Sequence, residues 1–102
     1  MANEFKNYTA AAVGTSPSVA YTVGADTTAV MIGMTISNVT SSSIKVDVQC
    51  AGVYLVKGVT IPSGSALSAL DGKIILEAAD TVVVTSDTAT SCDVIVSVLE
   101  QT

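Results

Sequence analysis

The chain has 102 residues, of which 49% are apolar and 13% charged, and its formal net charge is −5. It contains four lysines but no arginine, histidine or tryptophan. The commonest general base and the usual bidentate phosphate ligand are therefore both missing, which argues against an enzyme and against nucleic-acid binding. This length and hydrophobicity predict one folded domain, and no apolar run is long enough to predict a membrane span.

Apolar residues recur at every second position along the chain, and no segment shows the 3.6-residue period of a helix. Valine, isoleucine and threonine dominate these segments, as is typical of strands. Short clusters of turn-forming residues separate them. The pattern predicts eight or nine short strands, over residues 5–12, 18–23, 28–38, 43–50, 53–60, 66–70, 73–77, 81–86 and 92–100.

Such a series of strands predicts an all-β fold, a single antiparallel β-sandwich with jelly-roll-like or Greek-key topology. Asp71-Gly72 is the sharpest turn signal in it. Asp-Gly favours the two-residue type I′ turn, so we expect a hairpin between the strands at 66–70 and 73–77.

The first 13 residues differ from the rest and are separated from residues 14–102 by a turn containing Gly14 and Pro17. Two interpretations are open: a first edge strand of the sandwich, or an N-terminal arm that reaches a neighbouring subunit. Phe5 and Tyr8 in this segment are candidate residues for an interface with another subunit, as is Tyr54 in the middle of the chain.

The two cysteines, Cys50 and Cys92, are too few for a disulfide framework and lack a metal-binding spacing. Each is in register with the inward residues of its strand. Buried free thiols and a Cys50–Cys92 bridge are both compatible with the sequence, and the absence of a signal-peptide pattern favours the thiols.

No constellation of residues predicts catalysis. Serine is abundant, but a nucleophilic serine needs an adjacent base and the chain has no histidine. The nine carboxylates are spread singly, which is typical of solvated surface, and no calcium-loop or zinc motif occurs. We therefore expect no catalytic residues, no cofactor and no metal.

The sparse charge points instead to assembly. Val83, Ile95 and Leu99 are apolar residues on the side of their strands opposite the core residues. Strands that are apolar on both sides are usually buried on both sides. In a sandwich of this size another subunit would cover the second side, so we expect a homo-oligomer; loops of the same chain are the alternative cover.

Several strand-and-turn motifs follow one another from about Val30 to the end of the chain. They are Met31-Ile-Gly-Met-Thr-Ile-Ser-Asn38, Ile44-Lys-Val-Asp-Val48, Tyr54-Leu-Val-Lys57, Val59-Thr-Ile-Pro62-Ser-Gly64, Lys73-Ile-Ile-Leu-Glu-Ala-Ala-Asp80, Val82-Val-Val-Thr-Ser86 and Asp93-Val-Ile-Val-Ser-Val-Leu-Glu100.

In this order the motifs resemble those of small β-sandwich structural proteins of tailed bacteriophages. The resemblance spans roughly 70 residues. One departure is Ala79-Asp80, where such proteins often have Gly-Asp, and the alanine argues against a left-handed turn there.

The resemblance implies a virion component, made in the host cytoplasm, that decorates or cements the capsid as a dimer or trimer. The major capsid protein would be its main partner, with no nucleic acid or membrane involved. The candidate residues Phe5, Tyr8 and Tyr54 would then belong to a subunit or virion interface. A tail, neck or fibre-attachment subunit is the alternative within the same class. A host-surface or carbohydrate-binding module is the alternative from another class, and exposed aromatic residues on one face would favour it.

Overall fold

The computed structural model describes residues 3–70 and 72–102. Within those ranges the chain forms nine β-strands, and no helix there is long and apolar enough to cross a membrane. The strands are β1 (Asn3–Val13), β2 (Ser18–Thr22), β3 (Thr28–Asn38), β4 (Ile44–Cys50), β5 (Val53–Ile61), β6 (Ala66–Ser68), β7 (Ile74–Leu76), β8 (Thr81–Ser86) and β9 (Cys92–Gln101).

The strands form two antiparallel sheets that pack face to face. Sheet A has the order β1-β9-β3-β6, with β7 also paired to β3, and sheet B has the order β2-β8-β4-β5. The predicted all-β sandwich is therefore confirmed. β1 is an edge strand of sheet A and pairs along its length with β9 of the same chain.

The order of pairing is that of a jelly roll. Strands pair from the chain ends inward: β1 with β9, β2 with β8, β3 with β6 and β7, and β4 with β5. This is one long folded hairpin. It is rolled so that β9 also pairs with β3 and β8 also pairs with β4, which produces the two sheets.

The edge of sheet A beyond β3 differs from the prediction. Within the described residues β6 and β7 do not pair with each other; β6 lies antiparallel to residues 35–37 and β7 to residues 29–31. They are two parts of one interrupted strand, so the predicted hairpin at Asp71-Gly72 is wrong, and Asp71 itself lies outside the described residues. Pairing with β3 buries Leu76 in the core, and this burial outweighs the local turn signal.

The core lies between the sheets and consists of side chains at alternate strand positions, as the period of two predicts. On β9 the inward residues Cys92, Val94, Val96 and Val98 are each at most 1% exposed. Sheet B contributes Ile44, Val46, Val48, Ile61, Val82 and Val84, which are equally buried. Burial of about 25 cal/mol per Å² of apolar surface on both sheets stabilises the sandwich.

Asn38 joins the two sheets at one end of the sandwich. Its Nδ2 donates to the carbonyl oxygens of Ser42 at 2.8 Å and Ile61 at 2.9 Å. Its Oδ1 accepts from the backbone N–H and the hydroxyl of Thr40 at 2.9 and 2.8 Å. The buried asparagine of the first sequence motif thus satisfies backbone groups of the turn between β3 and β4.

The turn before β8 is left-handed although it lacks glycine. Ala79 has a φ of 70°, so the expectation drawn from Ala79-Asp80 is wrong. The Ala79 N–H donates to the carbonyl oxygen of Val23 at 3.1 Å, and the Val23 N–H donates to that of Asp80 at 2.9 Å. These bonds to the end of β2 hold a conformation that costs an L-residue about 1–2 kcal/mol.

Both cysteines are free thiols, the first of the two alternatives that the sequence left open. Cys92 is buried at the start of β9, opposite Asn38, whereas Cys50 is half-buried at the end of β4. They therefore lie at opposite ends of the sandwich. Burial raises the pKa of each thiol, which keeps both protonated at neutral pH.

Candidate interaction surface

The outer face of sheet A carries a strip of apolar side chains that crosses the whole sheet. Phe5 of β1 lies opposite Leu99 of β9. Val30 of β3 lies opposite both Leu99 and, on its other side, Ile75 of β7. We call these four residues the apolar row. Its ends are the most open, with Phe5 77% and Ile75 68% exposed.

More apolar surface extends along the same face. Ile32 and Ile95 are 41% and 49% exposed. A groove of about 240 Å³ runs beside the apolar row, and its lining includes Phe5, Asn7, Ile32 and Ser97. Contiguous exposed apolar surface of this kind is typical of interaction sites.

The same face is almost free of charge. At the outward positions of the described strands of sheet A, the one ionisable side chain is Asp93, which accepts a hydrogen bond from the Ala12 backbone at 2.9 Å. Apart from Asp93, and Lys6 in the lining of the groove, the ionisable side chains of these strands lie at other positions. A partner that covered this face would desolvate few charged groups.

A cluster on the inner side of β1 holds this strand, and with it Phe5, in place. The buried carboxylate of Glu100 accepts hydrogen bonds from the hydroxyls of Tyr8 at 2.8 Å and Tyr21 at 2.6 Å. Lys6 lies 3.4 Å from the same carboxylate and 3.3 Å from Glu4. The two tyrosine rings pack with their centroids 4.4 Å apart. Since these residues come from β1, β2 and β9, the cluster closes the sandwich along one side.

The charges in the cluster are mutually stabilising. The hydrogen bond from Tyr21 is the main cause that lowers the pKa of Glu100 below its usual value. Burial, followed by the bond to Glu100, raises the pKa of Tyr21 strongly, and the bond to Glu100 raises that of Tyr8. At neutral pH the carboxylate is thus ionised and both phenols donate to it. This arrangement ties three strands together and contains no activated nucleophile.

The outer face of sheet B carries a row at the equivalent position, but of different chemistry. Val19 of β2 lies opposite Val83 of β8. Gln49 of β4 lies opposite Val83 on one side and Tyr54 of β5 on the other. We call these four residues the mixed row. Half of it is aliphatic, and the other half pairs an amide with a phenol.

A shallow depression of about 260 Å³ lies over the polar half of the mixed row. Its lining includes Pro17, Asp47, Gln49, Tyr54 and Thr85. We call it the Tyr54 depression. It differs from the groove on sheet A, whose polar lining residues Lys6, Asn7 and Ser97 are already engaged in contacts within the chain.

A bulge in β5 holds the residues at one wall of this depression in place. Lys57 and Gly58 together lie opposite Asp47, and Gly58 has a φ of 65°, which glycine adopts without strain. Asp47 Oδ1 accepts from the Gly58 N–H at 2.7 Å, and Lys57 Nζ lies 4.0 Å from Asp47 Oδ2. The same ammonium lies 4.4 Å from the ring centroid of Tyr54, a cation–π contact that holds the ring in place.

The three aromatic residues singled out from the sequence do not share one surface. Phe5 is on the outer face of sheet A and Tyr54 on the outer face of sheet B. Tyr8 is half-buried on the inner side of β1, where Glu100 binds its hydroxyl. Their assignment to a subunit or virion interface stays a prediction.

Sequence reasoning missed Glu100, Val30 and Ile75. Glu100 was grouped with the solvated acids, although it continues the alternation of Val96 and Val98 on the inward side of β9. Its position two residues after Val98 on this side of the strand is the signal that predicts its burial. The row that joins Val30 to Ile75 depends on pairing between β3 and β7, for which the sequence carries no local signal.

No arrangement suited to a metal was found in the part of the chain that the structure describes: no three histidine, cysteine, aspartate or glutamate side chains come together there. The carboxylates that do make contacts bind tyrosine and threonine hydroxyls, lysine ammonium groups and backbone donors of the chain itself.

Comparison with models of known protein families finds no match, and a search of curated proteins finds none either. Among solved structures, the chain is similar to one described as "Bacillus endospore appendages form a novel family of disulfide-linked pili". The identity is 18%, the TM-score is 0.47, and the match covers 99% of this chain and 85% of that chain. A likeness this distant carries no functional conclusion, and the resemblance to phage structural proteins stays a prediction.

Proposed function

We propose that this chain is a structural protein of a tailed-phage particle, which decorates or cements the capsid as a homo-oligomer. The observation that carries the proposal is the apolar row, an exposed strip that crosses sheet A and that no other part of the described chain covers. The jelly roll occurs in viral capsid proteins but also in lectins and cupins, so the fold alone does not decide the function.

A second copy of the chain is the partner that best fits the apolar row. Two copies with a charge of −5 repel each other, but the outer face of sheet A adds almost nothing to that repulsion. The molecule measures 45 × 20 × 20 Å, so one face has room for the roughly 800 Å² that each partner buries in a standard interface. Two such faces pack as the sheets of a sandwich do, about 30° from parallel.

The mechanism would be additive burial. Each oligomer bridges neighbouring shell proteins and restricts their separation under internal pressure. Because a shell presents many equivalent positions, modest contacts repeated over the particle add up to a large stabilisation.

The test is sedimentation velocity of the purified chain, alone and with shells assembled without it. We expect a stable oligomer that saturates the shells at hundreds of copies. A monomer that ignores the shells would contradict the proposal. An oligomer that binds at about three to a dozen copies, as ring symmetry at a portal or tail would require, would replace capsid decoration by the tail or neck alternative.

A further inference from the structure

The Tyr54 depression has no part in the assembly proposed above, because it lies on the opposite sheet from the apolar row. Its polar lining and its exposed aromatic ring are features that small-molecule sites share. We propose that it binds one pyranose ring of a neutral saccharide.

The aromatic wall of the depression is preorganised. Lys57 Nζ lies over the ring of Tyr54 and 3.4 Å from its hydroxyl, and the Asp47 carboxylate lies 4.0 Å from the same ammonium. Tyr54 is nevertheless 47% exposed. A ring held at one face and open elsewhere offers a flat apolar surface with little entropy left to lose on binding.

The polar groups beside the ring are available to a ligand. Gln49 lies directly opposite Tyr54, and Thr85 lies opposite Asp47 on the neighbouring strand. Among the hydrogen bonds of the described residues, none uses the carboxamide of Gln49 or the hydroxyl of Thr85. By contrast, the side-chain amides of Asn7 and Asn38 are both engaged within the chain. The depression therefore offers free donors and acceptors beside an aromatic ring.

These groups select a neutral, polyhydroxylated ring. The apolar C–H face of a pyranose can lie on Tyr54 while its hydroxyls bond to Gln49 and Thr85. An anion is disfavoured because Asp47 is part of the lining and Lys57 is already paired with it. A purely apolar ligand would leave these polar groups desolvated without partners.

The size of the depression limits the ligand to one ring. Its volume of about 260 Å³ is just below the roughly 300–1,000 Å³ of ordinary ligand pockets. A ligand this small, with few contacts, binds in about the millimolar range. On an oligomer or a particle with many copies, the same site would bind a polysaccharide far more tightly through avidity.

The test is an amide chemical-shift titration of the full chain with methyl glucoside, methyl galactoside and methyl mannoside, with glycerol as the polyol control. We expect saturable shifts, with at least one pyranoside, in the amides of Gln49, Tyr54 and Thr85. Tyr54→Ala and, separately, Gln49→Ala should weaken binding about tenfold or more, since one stacking or bidentate contact contributes on that scale. The control Val19→Ser, on the aliphatic half of the mixed row, should leave it unchanged.

Shifts that are linear in concentration and equal to those of glycerol would overturn the proposal. So would saturable binding that Tyr54→Ala and Gln49→Ala both leave intact. Because Tyr54 and Gln49 lie on sheet B, neither substitution should alter the oligomer. The saccharide proposal can therefore be contradicted without contradicting the proposed assembly, and the reverse also holds.

Discussion

The outer faces of the two sheets carry equivalent rows of four side chains that differ in one respect. The apolar row of sheet A has no polar member, whereas the mixed row of sheet B places Gln49 and Tyr54 beside two valines. A surface without hydrogen-bonding groups can be buried by another apolar surface at little cost, but one with an amide and a phenol needs a ligand that satisfies them. The same fold thus presents one face suited to a protein partner and one suited to a polar ligand.

A charged substitution in each row should distinguish the functions of the two rows most clearly. Ile75→Lys introduces an ammonium at one end of the apolar row, where the proposed interface would desolvate it without a partner, so the dissociation constant of the oligomer should rise about 100-fold or more. Val19→Lys makes the same kind of change on sheet B, at a residue that is 57% exposed, and should leave association unchanged. Sedimentation velocity over a concentration series measures both. Equal effects of the two variants on the dissociation constant would contradict the assignment of the apolar row as the association surface.

Removal of Glu100 should loosen the strand that carries Phe5. Glu100→Ala leaves the hydroxyls of Tyr8 and Tyr21 without their acceptor, and hydrogen bonds to a charged group contribute about 1.5–3 kcal/mol each. We expect the free energy of unfolding to fall by about 3 kcal/mol and association to weaken as β1 frays. Glu4→Ala is the control, because Glu4 is exposed and an exposed ion pair contributes about 0–1 kcal/mol. Urea denaturation checks this; similar losses in the two variants would refute the role of the cluster.

Acid should weaken the same cluster. The pKa of Glu100 is lower in the folded chain than in the unfolded chain, so its contribution is present above the unfolded value, near 4.5, and is lost as the pH falls through the lower folded value. The melting temperature should therefore fall between pH 6 and pH 3, and by less in Glu100→Gln than in the unaltered chain.

Asp87 provides the matched comparison for this acid effect. Its pKa is also lowered, chiefly by a hydrogen bond from the Lys45 backbone, but it lies away from both rows. Asp87→Asn should flatten the pH dependence of the melting temperature without changing the pH dependence of association. If Glu100→Gln melts with the full acid sensitivity of the unaltered chain, the assigned role of Glu100 is wrong.

The smallest expected effect is at Ala79, remote from both rows. Ala79→Gly removes the strain of a φ of 70° but adds the backbone entropy of glycine to the unfolded chain. The balance should raise the free energy of unfolding by about 0.5–1 kcal/mol and leave association and saccharide binding unchanged. Thermal denaturation measures it; a loss of stability would mean that the turn depends on the Ala79 side chain.

The nine strands could be predicted because alternation is a local property of the sequence. Valine at every second position of β9, for instance, leaves one face for the core. Pairing between distant segments is not local, and here the prediction failed: Asp71-Gly72 carries a hairpin signal, yet β6 and β7 both join β3. The predicted conformation of Ala79 was wrong for a similar reason, because hydrogen bonds to the end of β2, which is distant in sequence, impose a left-handed turn.

The two surfaces were only partly predictable. The outward apolar residues Ile95 and Leu99 correctly indicated a sheet with apolar side chains on both faces. The apolar row itself joins four strands that are distant in sequence, so it becomes visible only once the register is known. The Tyr54 depression likewise depends on a register shift in β5 between Tyr54 and Val56, which brings Lys57 and Tyr54 to the same side of the strand.

The most direct test of the apolar row as an assembly surface is an isotope-filtered NOE experiment on oligomers that mix labelled and unlabelled copies. It detects side chains of one copy that contact another copy. We predict intermolecular NOEs from the side chains of Phe5, Leu99 and Ile75. NOEs confined to Val19 and Tyr54, or none at all at concentrations where sedimentation shows an oligomer, would contradict the account.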